Sequence, residues 1–175
     1  MAKITSDMVK TLRDQTGAGM MDCKQALAAA DGNMEKAVDQ LRKTGAAKAA
    51  KKAGRSTKEG TIKVSTGNNA AAMVEVLCET DFAAKNTHFD NYVTGLSERV
   101  LKEYNGEQDL TSELPDLEKD HVAELVGKIG ENIQPRRAIR WEGDGVFASY
   151  LHMGGKIAVL AEITGEDISD ELATD

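Results

Sequence analysis

The stretch Thr61-Ile62-Lys63-Val64-Ser65-Thr66-Gly67-Asn68-Asn69-Ala70-Ala71-Ala72-Met73-Val74-Glu75-Val76-Leu77-Cys78-Glu79-Thr80-Asp81 decides the fold class. Residues 61–66 alternate polar and apolar side chains, the period of two that a half-buried strand needs. Asn68-Asn69 reads as a turn, and residues 72–78 read as a second strand. Thr80 is placed to cap a helix, and Asp81 would fall in its first turn, where the helix dipole favours an acid. The chain is therefore not all-helical.

Downstream, one long helix is expected from Thr80 or Asp81, with Phe89, Val93, Leu96 and Val100 along one face. A second helix is expected over about 117–130, with Leu117, His121, Leu125 and Ile129 at intervals of four, Val122 and Val126 beside them, and Pro115 near its start. Beyond Pro135 the pattern returns to strands over 138–142, 146–153 and 156–164. Gly143-Asp144-Gly145 and Gly154-Gly155 read as the hairpin turns between them. Two β regions flanking a helix pair give an α+β class with mainly antiparallel pairing. Residues 166–175 carry five acids and no base and do not finish like a structural element.

Upstream, three short helices are expected. Thr5 or Ser6 caps the first, Met8, Val9 and Leu12 give it an apolar face, and Ile4 can staple back onto Val9. Gly17-Ala18-Gly19 turns the chain. Cys23, Ala26, Leu27 and Ala30 line the second helix, which ends at Asp31-Gly32. Asn33 caps the third, where Met34, Ala37, Val38 and Leu41 repeat at i, i+3, i+4, i+7 and Gly45 is expected to close it. The expected organisation is a three-helix docking module over 1–45, a basic helix and linker over 46–60, and a core in two parts, 61–135 and an incomplete 136–175.

The 175 residues suit one domain or two small ones. Apolar residues make up 41% and aromatics only 4%, so the core must be mostly aliphatic. The net charge of −7 hides an asymmetry. Residues 1–60 hold 12 Lys and Arg against 7 Asp and Glu, and the remainder hold 10 against 22. Such a division suggests an interaction surface, not a particular chemistry. No apolar run approaches a membrane span. The N-terminus has no apolar stretch of a secretory signal and no Arg-rich amphipathic stretch of a transit peptide. Two cysteines, Cys23 and Cys78, cannot form a disulfide framework, so a reducing, cytoplasmic setting is expected.

A search for catalytic chemistry finds little. His88, His121 and His152 have no helical ligand spacing, and neither cysteine has a C-x-x-C partner, so no metal site is expected. Gly17-Ala18-Gly19 follows no strand, and no Gly-Lys-Ser/Thr closes it as a phosphate loop requires. Cys78 with Glu79, Asp81 and His88 resembles a thiol site only by closeness in sequence. A buried strand-end cysteine beside helix-capping acids is far the commoner arrangement. Lys48, Lys51, Lys52, Arg55 and Lys58 form the best nucleic-acid signal, but no aromatics interleave for stacking. A solvated helix and linker accounts for them more simply, and a docking face for an acidic protein lies between these readings. Met20-Met21 is balanced between core packing and an adaptable recognition surface. Phe82, one of three phenylalanines, stands at a strand-to-helix corner, either as a core plug or as an exposed probe. Three functions stay in play: a regulatory binding protein, an RNA-binding factor using 42–58, and a thiol enzyme around Cys78.

Leu12-Arg13-Asp14-Gln15-Thr16-Gly17-Ala18-Gly19-Met20-Met21-Asp22-Cys23-Lys24-Gln25-Ala26-Leu27 resembles the N-terminal signature of the elongation factor Ts family. These proteins are guanine-nucleotide exchange factors of translation elongation factor Tu. Cys78-Glu79-Thr80-Asp81-Phe82-Ala83-Ala84-Lys85-Asn86 resembles the second signature, where the family commonly has Val at the place of Ala83. Lys128-Ile129-Gly130-Glu131-Asn132 and Tyr150-Leu151-His152-Met153-Gly154 resemble two further segments, with departures between His152 and Ile157. The resemblance implies a ubiquitin-associated-like three-helix module followed by two antiparallel-sheet subdomains. It implies docking on the partner's nucleotide-binding domain through Arg13, Met20, Met21 and Lys24. Thr80, Asp81 and Phe82 would intrude near the partner's Mg²⁺ site, helped by Ile129 and Gly130, while His152 would touch another part of the partner. No cofactor, nucleic acid or membrane contact is implied. Most members continue well past this length, so the second sheet is expected to lack strands, and its open edge invites a homodimer.

Overall fold

The computed structural model describes residues 3–165. In chain order its elements are α1 (Ser6–Thr16), α2 (Met20–Ala29), α3 (Met34–Lys52), β1 (Glu59–Thr66), β2 (Ala70–Cys78), α4 (Asp81–Ala84), α5 (Thr87–Glu103), β3 (Gln108–Asp109), α6 (Leu114–Leu117), α7 (Lys119–Ile129), β4 (Ile133–Glu142), β5 (Val146–His152) and β6 (Ile157–Ile163). The class is α+β, with the N-terminal helices preceding antiparallel sheet and helices, as expected. The acidic stretch 166–175 lies outside the described residues. The chain divides into two units, one holding residues up to Arg55 together with Lys119–Asn132, the other holding Ser56–Glu118 and the remainder from Ile133. The division groups residues 119–132 with the first helices, where the sequence pattern had set them with 61–135.

In the first unit each helix end has a local cause. The Thr5 hydroxyl accepts from the Met8 amide at 3.3 Å and caps α1. Gly17 adopts φ 68° and its N–H donates to the Arg13 carbonyl at 2.7 Å, a left-handed stop that glycine makes without strain. The Asn33 carboxamide accepts from the Lys36 amide and caps α3. Val9, Leu12, Ala18, Cys23, Ala26, Leu27 and Ala37 form one apolar cluster, with Ile4, Met8, Ala30, Met34 and Leu41 packed against it.

Gly45 does not end a helix. α3 runs through it to Lys52, so the segment 46–52 continues the third helix. The glycine is there because α7 packs against α3. A Cβ at Gly45 would lie 2.7 Å from the Ala123 carbonyl oxygen, and one at Gly127 would lie 3.7 Å from the Gly45 Cα. The Asn132 side-chain amide donates to the Ala53 and Arg55 carbonyls, tying the chain after α7 to the chain after α3.

The second unit is built on a four-stranded antiparallel sheet in the order β1-β2-β4-β3. Ala72, Val74, Val76 and Cys78 alternate onto one face, and Phe89, Val93, Leu96 and Val100 of α5 are buried against the sheet. The expected single long helix is two. Asn86 caps α5 through the His88 amide at 2.8 Å, so the chain breaks after α4. Pro115 opens the short α6, and α7 follows as a separate helix.

Gly143-Asp144-Gly145 is not a hairpin turn. β4 pairs with β2, and β5 pairs with β6 in a separate two-stranded sheet. β4 also starts earlier than expected, at Ile133, and carries Pro135 within it. A bulge between Glu75 and Val76 accommodates the residue that cannot donate to the ladder. The same bulge lets two consecutive arginines, Arg136 and Arg137, reach the Glu75 carboxylate, at 3.0 and 2.6 Å. Gly154-Gly155 does turn β5 into β6, with His152 opposite Ile157. The turn is anchored on β1, where Ile62 N–H donates to the Gly155 carbonyl at 2.8 Å. Phe147 and Leu160 close over Ala71, with Val64 and Met73 packed beside them.

Candidate functional site

The corner after β2 is assembled from caps and one buried residue. Cys78 is fully buried, and its thiol donates to the Thr80 carbonyl at 3.2 Å. Thr80 is extended, and its hydroxyl accepts from the Ala83 amide at 3.2 Å. Ala83 is buried and pins the four-residue α4 to the body of the unit. That leaves Phe82 facing water, 81% exposed. An exposed phenylalanine on a capped, anchored turn is not a core plug.

Asp81 sits beside it, with its carboxylate 2.8 Å from the Lys85 ammonium. The hydrogen bond from Lys85 holds the Asp81 carboxyl below its ordinary range, and the same bond raises the Lys85 ammonium. Asp81 is thus a fixed anion at neutral pH. The pair is solvent-exposed, and such pairs are easily given up to a stronger partner.

In the other unit, Met20 and Met21 open α2 and are 54% and 63% exposed. Lys24 follows one turn later on the same exposed stripe, while Cys23, Ala26 and Leu27 turn inward. Arg13 is exposed in the last turn of α1. Burial raises the Cys23 thiol, with the Thr16 hydroxyl and the Arg13 charge pulling the other way. Ile129 is half-buried at the end of α7, and Gly130 takes φ 83° with its N–H on the Val126 carbonyl at 2.9 Å. Only glycine adopts that cap without strain. His152 ends β5, exposed and stacked on Tyr150 with ring centroids 5.9 Å apart and Nδ1 3.1 Å from the hydroxyl.

The ten candidate residues thus fall in two sets. Arg13, Met20, Met21, Lys24, Ile129 and Gly130 belong to the first unit, and Thr80, Asp81, Phe82 and His152 to the second. The family resemblance implies that Ile129 and Gly130 assist Asp81 and Phe82. Among the described residues, no three His, Cys, Asp or Glu side chains are placed to hold a metal ion, and no helix is long and apolar enough to cross a membrane. Cys78 presents no thiol to solvent.

A groove of about 230 Å³ in the first unit went unseen in the sequence. It lies among the end of α1, α3 and α7. Its signal was Gly45, a glycine in the middle of a helical pattern, which marks close approach as readily as an end.

A family model described as Elongation factor TS matches residues 79–175, beginning one residue before Thr80. The elongation factor Ts of Thiobacillus denitrificans is 50% identical over 172 residues, covering 95% of this chain and 59% of that protein. That of Lawsonia intracellularis is 46% identical over 175 residues, covering 93% and 59%. That of Clostridioides difficile is 47% identical over 174 residues, covering 95% and 57%. The chain thus spans under three-fifths of the length of these relatives.

Proposed function

The chain belongs to the elongation factor Ts family, and on that premise we propose that it is a guanine-nucleotide exchange factor for elongation factor Tu. In this reading it binds elongation factor Tu carrying GDP, promotes GDP release by disturbing the Mg²⁺ and phosphate site, and allows GTP to rebind. It needs no cofactor and makes no covalent bond, and it works in the cytoplasm on a protein partner, without nucleic acid or membrane. The observation that carries the reading is Phe82, 81% exposed on a capped and anchored turn beside a fixed anion.

A GTPase holds its nucleotide through a phosphate-cradling loop and a Mg²⁺ ion with oxygen ligands. An exchange factor must bind the nucleotide-free state better than the nucleotide-bound one. Linkage then requires it to weaken nucleotide binding by the same factor, tenfold for each ~1.4 kcal/mol of coupling. Arg13, Met20, Met21 and Lys24 supply docking that both states share. Phe82 supplies the difference, because an aromatic wedge fits only where elements near the phosphates have moved aside. Asp81, released from Lys85, competes for the Mg²⁺ shell or its water. Thr80 holds both in place, Ile129 and Gly130 support contact from the first unit, and His152 touches a separate part of the partner. The exposed Tyr150, Ile157 and Val159 on one face of β5–β6 support self-association as a dimer.

Fluorescent GDP release from elongation factor Tu, followed by stopped flow, tests the reading. The chain should accelerate release, and Phe82→Ala should lower the maximal rate by ~30-fold or more, the effect of a ~2 kcal/mol hot spot, with docking affinity little changed. Parent-like exchange by Phe82→Ala would remove the wedge role. No acceleration by the parent chain would remove the function.

A further inference from the structure

None of the residues proposed for exchange lines the groove of the first unit. Ala18, Leu41, Gly45 and Gly127 line it, and Val38 stands 40% exposed at its lip. The close crossing of α3 and α7 at the two glycines forms its inner edge. Its 230 Å³ suits one large apolar side chain; sites for drug-sized molecules run from about 300 Å³ upward.

Its polar lining is largely spoken for. Asp22 pairs with Lys48 at 2.8 Å, and Glu124 with Lys128 at 2.5 Å. The Thr16 hydroxyl donates to the Leu12 carbonyl at 2.7 Å, and the Thr44 hydroxyl to the Gln40 carbonyl at 2.8 Å. Among the described residues, two lining side chains stay uncommitted, the Arg42 guanidinium and the Gln15 carboxamide. Arg42 brings only donors and a permanent charge. The unit as a whole carries 13 Lys and Arg against 9 Asp and Glu, a surplus that draws anions.

We propose that this groove binds an acidic segment of a partner protein, taking one large apolar side chain beside the α3–α7 crossing, against Ala18, Val38 and Leu41, while Arg42 holds a neighbouring carboxylate. The peptide carboxylate gains a charge-assisted bidentate bond, and the apolar anchor covers Val38 and Leu41. This surface is lined by none of Arg13, Met20, Met21 or Lys24, so the proposal stands independently of the exchange reaction.

The test is amide chemical-shift mapping on the isotope-labelled full chain. The probe is an acetylated, amidated peptide with one phenylalanine between glutamates, and the control is the same peptide with glutamines. Saturable shifts centred on Val38, Leu41, Gly45 and Gly127 are expected. The glutamate peptide should bind about tenfold more tightly than the glutamine peptide, the effect of one charge-assisted hydrogen bond. Arg42→Glu, an exposed change that leaves the fold intact, should abolish that preference, whereas Lys43→Glu should not. Absence of shifts, equal affinity for the two peptides, shifts centred elsewhere, or indifference to Arg42→Glu overturns the proposal. So does displacement of the peptide by a single-stranded RNA oligomer that binds the same amides more tightly.

Discussion

Gly45 and Gly127 face each other across one helix crossing, and alanine should act in opposite directions at the two. At Gly45 the added Cβ would sit 2.7 Å from a backbone oxygen, inside the 3.0 Å that real Cβ atoms essentially never cross. The obstacle is main chain and cannot swing away, so α3 and α7 must part by a few tenths of an ångström. Overpacking of that kind costs ~1–3 kcal/mol. Removing a glycine from a helix interior returns at most ~1 kcal/mol. Gly45→Ala should therefore lose about 1 kcal/mol. At Gly127 the nearest atom is 3.7 Å from the added Cβ, an ordinary contact, so only the propensity gain remains. Gly127→Ala should gain ~0.5–1 kcal/mol. The midpoints of thermal unfolding followed by circular dichroism should move apart, by ~2–4 °C per kcal/mol for a chain of this size. A Gly45→Ala protein that melts at or above the parent temperature would refute the close-approach account. The glycine would then be tolerated for reasons unrelated to α7.

Tyr92 gives a test in alkali. Its hydroxyl is buried beside the Glu118 carboxylate, and burial first, then the Glu118 charge and a hydrogen bond to it, push its proton loss far above the ordinary value near 10. The folded state thus holds this proton more firmly than the unfolded state, so the contribution is complete below about pH 10 and is lost as pH rises beyond it. Urea midpoints at pH 9 and pH 11 should fall more for the parent than for Tyr92→Phe; equal falls would refute the assignment. Sedimentation equilibrium should show a concentration-dependent dimer for the parent chain and a monomer for Val159→Lys. A parent chain that stays monomeric refutes self-association through β5–β6.

Local chemistry made much of this molecule legible. Thr5, Asn33 and Thr80 cap the helices their side chains announce, and Gly154-Gly155 turns the strand it follows. The strand pair over 59–78 shows in the alternation of its side chains. Distance along the chain limited the rest. Gly143-Asp144-Gly145 has hairpin composition, yet β4 leaves it to pair with β2, because apolar faces far apart in sequence decide the pairing. Asn86 could have been a helix residue by propensity, but its side chain served a new cap. The groove was least legible, because the end of α1, α3 and α7 that line it come together only through packing between segments far apart in sequence. Phe82 was visible because phenylalanine is scarce, although its exposure needed the buried Ala83 to be seen.

Exposure alone does not select Phe82. Leu117 and Met153 are also apolar and lie in water, and single exposed apolar side chains are ordinary. The difference is in how the backbone beneath is held. Phe82 stands on a turn whose first amides are capped by Thr80, whose far side is anchored by Ala83 and whose ends are bridged by Asp81 and Lys85. The ordering entropy of that turn is lost when the chain folds, not when the partner arrives. Binding then spends less of its free energy on immobilisation and more on telling one partner state from another. Met20 and Met21 follow the other logic. They sit at a helix start whose N-cap, Gly19, makes no side-chain bond, and their thioether side chains keep their rotamers until a surface selects one. Adaptable methionines suit docking to two states alike, and a braced aromatic suits the state that differs. Under the proposed exchange role, stiffening the Phe82 turn should therefore alter the maximal rate of GDP release in the stopped-flow assay, while changes at Met20 or Met21 should alter the concentration needed to reach it.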